Sequence, residues 1–211
     1  MNYQPEFHER FTRDPKYHWH TWKPERPILK SLHMKYHLCE GYCSIRKNNV
    51  PDTITVTAHL EEGNSIGSFH ENCWNYVIEN ATTIERELRR KLWPLCKENF
   101  DYFIQCVKSD NPAWLEARNA TDWNSPSSLD LQVSFEDITI FDDGFDETGF
   151  CIFSFEVPWD PEHGCSILMH KDRVIAVGQY ADFLVSTPDL VPIAKELQKH
   201  NFTEGDFQFE D

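Results

Sequence analysis

The sequence predicts an α+β fold in which an antiparallel sheet packs against one long, proline-interrupted helix, with an irregular N-terminal arm. Three patterns carry that prediction. Trp74, Val77, Ile78, Ala81, Ile84, Leu88, Leu92 and Leu95 recur at three and four residues, the apolar stripe of an amphipathic helix. Leu129, Leu131, Val133 and Phe135 alternate with period two, as one face of a strand does. Phe150 to Val157 is apolar at nearly every position, which predicts a strand covered on both faces.

In chain order, residues 1–27 hold Pro5, Pro15, Pro24, Pro27, His18, Trp19, His20 and Trp22 without helical or strand periodicity. They read as an arm that wraps the domain with its aromatics packed down. Strands follow at His33 to Ile45 and Thr53 to Leu60, joined by a turn at Asn48, Asn49, Pro51 and Asp52. Pro94 should kink or break the long helix, because proline has no N–H for the carbonyl four residues back and its ring crowds that carbonyl. Phe100, Phe103, Ile104 and Val107 carry a second helical piece, and a polar connection from Asn119 to Ser128 leads to the Leu129 strand. Ile138 and Ile140 resume the alternation in the opposite phase, which predicts a bulge near Glu136 and Asp137. Ser166 to Met169 and Val174 to Val177 form a hairpin, and Pro188 to His200 a short helix. The expected organisation is an arm (1–27), one α+β domain (28–200) and an acidic tail (201–211).

An apolar content of 40%, with 15 Phe, 7 Trp and 7 Tyr, excludes a wholly disordered chain. No run approaches the ~18 apolar residues a membrane span needs, and the N-terminus lacks a signal-peptide core, so the expectation is a cytoplasmic protein with no membrane partner. Seven cysteines in such a setting read as reduced thiols; Cys73, Cys96, Cys106, Cys151 and Cys165 sit among apolar neighbours as small buried hydrophobes.

Charge is distributed unevenly. Residues 1–118 hold 16 acidic and 16 basic side chains, residues 119–170 hold 11 acidic and no Lys or Arg, and residues 171–211 hold 8 against 4. A field of that sign repels nucleic acid and anionic membranes and steers basic proteins toward the surface. Asp142, Asp143, Asp146 and Glu147, around Gly144, are the residues expected to meet such a partner. Their spacing departs from a calcium-binding loop, so a solvated loop between strands is the plainer reading.

No Gly-rich phosphate loop, nucleophile elbow or cofactor signature is present. Glu162 and His163 invite a general-base reading, with Asp182 as a further carboxylate. The competing reading has His163 bonding a neighbouring group, Glu162 or Asp160 capping a turn, and Trp159 anchoring it. Cys165 is expected to be a buried, inert thiol. His33, His37, Cys39 and Cys43 are ligand types that zinc prefers, but an extended chain would spread them over about 33 Å, so a turn at Glu40-Gly41 would be needed. His8, His18 and His20 are explained more simply by packing of Trp19 and Trp22.

The run Trp159-Asp160-Pro161-Glu162-His163-Gly164, followed by Met169 to Gly178 and then Asp182, resembles an uncharacterised bacterial family, a domain of unknown function. Its members carry a Trp-acidic-x-Glu-His-Gly turn, then a hairpin, Gly and Asp. The resemblance covers about residues 74–183 and implies an α+β fold with no established activity. By analogy, some bacterial families of this profile are immunity partners of toxins. The preferred reading is a non-enzymatic acidic module for a basic protein, such as a toxin domain. The alternative is an enzyme or metal-dependent protein using the Glu162, His163 and Asp182 region.

Overall fold

A stretch as apolar as Phe150-Cys151-Ile152-Phe153 has no polar side to show to water, so the strand that contains it must be covered twice. The computed structural model describes residues 5–15, 19–25, 28–29, 36–38, 45–47, 54–106, 124–157, 160, 163–178, 191–192 and 194–196. Its strands are β1 (Thr12–Arg13), β2 (His20–Trp22), β3 (Tyr36–Leu38), β4 (Ile45–Lys47), β5 (Thr55–His59), β6 (Ser134–Phe145), β7 (Thr148–Glu156), β8 (Cys165–His170) and β9 (Arg173–Gly178). The helices are α1 (Ser68–Glu79), α2 (Ala81–Cys106) and the short α3 (Leu129–Gln132).

Seven strands form one sheet in the order β1-β2-β5-β6-β7-β8-β9, and β3 pairs with β4 apart from it. On one face, Val56, Ile138, Ile140, Phe153, Phe155, Ile167 and Met169 pack against Cys73, Trp74 and Val77 of α1 and Ile84, Leu88, Leu92 and Cys96 of α2. The arm closes this face: Phe7, Phe11 and Trp22 form an aromatic cluster, and Trp22 meets Trp74 edge-on at 4.9 Å. On the other face, Phe141, Phe150, Ile152, Leu168, Ile175 and Ala176 gather under Ala194 and Val191, which lie at helical positions. Among the described residues that apolar cover stops partway along the strands. Beyond it, alternate positions on the same face are Thr57, Thr139, Ser154 and Ser166.

Several expectations are corrected. The sheet is mixed, because β5 and β6 run parallel while the other pairs are antiparallel. Two helices replace the single one: the chain breaks at Asn80 and then continues through Pro94. Leu88, Leu92 and Cys96 are at most 1% exposed, so the buried stripe runs unbroken past the proline. Burial of that stripe outweighs the roughly 3 kcal/mol cost of an internal proline. The Leu129 end of the predicted strand is helical, since Ser125 caps a 3-10 turn begun by Pro126, and Leu129 and Val133 are also one helical turn apart. Their four-residue spacing satisfies both periods. His33 to Ile45 is not one strand: β3 and β4 pair antiparallel with Leu38 opposite Ile45, so the chain reverses between them.

The arm is less irregular than its composition suggests, because β1 and β2 join the main sheet. The bulge falls where the phase change placed it, with Phe135 opposite Phe155 and Asp137 opposite Ser154, leaving Glu136 as the extra residue. The Ser166–Val177 hairpin forms as β8 and β9. Cys73, Cys96, Cys151 and Cys165 are buried free thiols, and burial holds the Cys165 thiol up at about 12. The turn expected at Asn48 to Asp52 and the side chain of Cys106 lie outside the described residues.

Two histidines are fully inside. His70 donates from Nε2 to the His59 carbonyl (3.1 Å), and its Nδ1 accepts the Gly67 N–H (3.4 Å) at the start of α1. His170 donates from Nε2 to the Phe145 carbonyl (3.0 Å) and stacks on the Phe145 ring. Burial lowers both pKa values below the usual histidine value. The unfolded chain takes up these protons near pH 6.5 and the folded chain resists them, so each group's stabilising contribution shrinks as pH falls. The stability advantage of wild type over His70→Gln should therefore narrow below pH ~6.5, by at most ~1.4 kcal/mol per pH unit. Thermal melts of both proteins from pH 7.5 to 5 check this; a constant gap refutes it.

Candidate functional site

The chain between β7 and β8 must reverse direction, and an acidic residue followed by glycine is suited to that. Asp160 Oδ1 accepts the backbone N–H of His163 (3.1 Å), while the Gly164 N–H donates to the Asp160 carbonyl (2.9 Å). Gly164 has φ +69°, and a Cβ there would stand 2.6 Å from the Phe155 carbonyl oxygen, so both the conformation and the close approach call for glycine. The same Asp160 oxygen lies 3.0 Å from His163 Nδ1 and orients the ring. The His163 side chain is 56% exposed. Asp160 thus caps the turn; Trp159, Glu162 and Asp182 lie outside the described residues.

This turn is one wall of a cleft of about 400 Å³. Its floor is the polar half of the second sheet face, with Thr57 from β5, Asp137 and Thr139 from β6, Ser154 from β7 and Ser166 from β8. Glu136 and Glu156 stand beside Asp137, and the exposed ring of Trp19, just before β2, forms the opposite boundary. None of these lining residues is Lys or Arg.

The carboxylates are crowded. Glu136 touches solvent at the rim, yet its carboxyl is pushed up to about 7, first by burial, then by the charges of Glu156 and Asp137, and by a hydrogen bond shared with Glu156. Burial also raises Asp137, with the Ser154 hydroxyl opposing the shift. Even so, Asp137 Oδ1 and Ser154 Oγ are buried without a well-formed hydrogen bond.

The acidic hairpin predicted as the partner surface lies at the far end of β6. There Asp146 and Glu147 form the two-residue turn, both with positive φ, so the predicted loop is mostly strand. Asp142 accepts from the Glu61 N–H (3.0 Å) and Asn64 Nδ2 (2.8 Å), Asp143 accepts the Gly144 N–H, and Asp146 pairs with Lys171, which holds its carboxyl below the usual range. The Glu147 carbonyl accepts from Asn72 of α1. Three of these four carboxylates therefore hold local structure together.

Of the zinc candidates, His33, Cys39 and Cys43 lie outside the described residues; His37 stands in β3 opposite Arg46. Among the described residues, no group of three or more His, Cys, Asp or Glu is placed to hold a metal. Nor is any helix there long and apolar enough to cross a membrane.

Sequence reasoning placed the bulge at Glu136 and Asp137 but did not read it as a site, and it assigned Trp19 to packing. The signal was present: a bulge is a common way to re-aim a side chain beside a binding site. Glu156 gave no sign, being one acidic residue at the end of an apolar run. Because the folded protein disfavours ionised Glu136, its stability declines as pH rises from about 4.5 to about 7. Glu136→Gln cannot ionise, so it should melt higher than wild type at pH 8 and at the same temperature at pH 4.5. An equal difference at both pH values would refute the crowding.

The chain matches no curated protein and no solved structure. A family model does match, and it spans the helices, the strands from β3 onward, the Asp160–Gly164 turn and Asp182, leaving Trp19 and the arm outside. With residues 29–184 matched to the model described as a domain of unknown function (DUF6985), the chain belongs to that family.

Proposed function

We propose that this protein is a non-enzymatic binding module for a basic protein, engaged through the carboxylate-lined cleft. The observation that carries the reading is the lining itself: Glu136, Asp137 and Glu156 meet in one concavity, and no Lys or Arg is among its described lining residues. Low-dielectric walls concentrate such a field, raise the rate at which a cationic partner arrives, and select against acidic ones. The chain's −15 net charge works in the same direction at longer range. A toxin domain with a cationic substrate cleft has the right chemistry for this partner, which keeps the immunity analogy in play as part of the proposal.

The test is association of the full chain with a synthetic arginine- and lysine-rich peptide, measured by stopped flow across a salt series. Rates should fall steeply with salt. The Glu136→Gln/Glu156→Gln pair should slow association by about tenfold and flatten that dependence. Neutralising Asp142, Asp143, Asp146 and Glu147 should slow it less and lower the melting temperature, because those groups serve the hairpin. A rate indifferent to salt and to the cleft pair refutes the reading.

One observation favours a second reading as an enzyme. His163, oriented by Asp160, and Glu136, whose carboxyl sits near neutrality, open on the same cleft, an arrangement able to move protons. Capping the turn needs only the Asp160 carboxylate, whereas acid–base chemistry needs the ring. His163→Gln should therefore leave the melting temperature within about 1 °C, since an exposed pair is worth under about 1 kcal/mol. Asp160→Ala should lower it by several degrees. A large loss of stability in His163→Gln would assign the ring to holding the turn and count against catalysis.

A further inference from the structure

We propose that the N-terminal arm is an acid-released strap: as pH falls below about 6.5, β2 leaves the edge of β5 and uncovers Trp74. The inference concerns the arm and does not depend on the cleft.

Strand register and helical period together build the joint that would open. His20 lies opposite Ala58 and Trp22 opposite Val56, so the two arm residues share one face of the sheet, and Val56 identifies it as the face packed on the helices. In α1, His70 stands one turn before Trp74, on the same side of the helix. Because Trp22 meets Trp74 at 4.9 Å, one further step along both elements brings His20 toward His70. The hydrogen bonding agrees with this, since His70 Nε2 donates to the carbonyl of His59, the residue next to Ala58. An imidazole on the arm thus faces an imidazole on the domain.

A proton on either ring works against docking. His70 is fully buried and uses its two nitrogens in opposite roles, accepting the Gly67 N–H and donating to the His59 carbonyl. A second proton would set one N–H against another at the first turn of α1. The charged and titratable groups that face the two rings are Arg13 on β1, directly opposite His20, His59 on β5 and Asp142 on β6. Arg13 and His59 oppose a new positive charge. Asp142 favours one, but it already accepts from the Glu61 N–H and Asn64. Burial, with Arg13 adding to it at His20, holds both histidines below the usual value while the arm is docked. Release returns His20 to water and frees His70 from its charge. Docking is therefore at full strength above pH ~6.5 and weakens as pH falls, by up to about tenfold in the docking equilibrium per pH unit for each histidine.

The arm is also the part placed to yield first. β2 meets β5 over three residue pairs and β1 meets β2 over two, whereas β5 keeps β6 as its partner on the other side. A short ladder at a sheet edge opens at a lower free energy than the core. Phe7, Phe11 and Trp22, with Arg10 over the Phe7 and Trp22 rings, supply the hold, and none of them titrates in this range.

Hydrogen exchange of the full-length protein tests the strap, read as protection factors so that the intrinsic pH dependence of exchange cancels. Protection of the β2 amides should fall at least about tenfold from pH 7.5 to pH 5.5, while the β7 amides stay at least about a hundredfold better protected at both pH values. His20→Gln and His70→Gln each remove one side of the joint, one from the arm and one from the domain. Either variant should reduce a tenfold fall to roughly threefold, so the test survives if one of them fails to fold. Protection of β2 that is indifferent to pH overturns the strap, as does an undiminished fall in the folded variants, which would assign the pH response to other groups. A common exchange rate for β2 and β7 overturns it too, because the arm would then open only with the whole domain.

Discussion

The structure depends on the burial of β7 from both sides. Cys151, Phe153 and Phe155 face α1 and α2, while Phe150 and Ile152 face the helical residues near Ala194, and each of these five side chains is at most 1% exposed. A strand covered twice cannot shift register without driving large aromatics into the opposite layer, so the neighbours β6 and β8 are fixed with it. Close approach is part of that fit. A Cβ on Gly149 would stand 2.5 Å from the Phe141 carbonyl and 3.2 Å from that of Phe69, so a glycine here lets the first turn of α1 press against the sheet.

The same constraint creates the cleft. Along β7 the second face changes from Phe150 and Ile152 to Ser154 and Glu156, and along β8 from Leu168 to Ser166. Apolar cover follows the apolar half, and the polar half is left concave. The bulge at Glu136 completes the change by turning Asp137 toward Ser154 while Ile138 returns to the core. Placing carboxylates against one another costs stability and is not needed to close the sheet. Such a local conflict with an otherwise consistent fold is where a functional site is expected.

The two acidic ends of β6 do different work. At the hairpin, Asp142, Asp143 and Asp146 find backbone donors, Asn64 and Lys171, so their charges are used in folding. At the cleft, Glu136 and Asp137 are set beside Glu156, and among the described residues no cation contributes to the shift of Glu136. Net charge alone treats these ends as equivalent; the partners of each oxygen separate them.

What the sequence determined was whatever depends on neighbours along the chain. The buried stripe at Ile84, Leu88 and Leu92, the two-faced strand at Phe150, the β8–β9 hairpin, the phase change at Glu136 and the asymmetry of charge all follow from local periodicity and composition. Tertiary structure decided what depends on residues far apart. Pro94 stays inside α2 because the packed face continues beyond it, Leu129 turns helical where both periods fit, and β5 pairs in parallel with β6 across 74 intervening residues between His59 and Ser134. The cleft belongs to this second group, since Trp19, Thr57, Asp137, Ser154 and His163 come from five separate segments. Only packing of the sheet brings them together, and no spacing along the chain encodes their meeting.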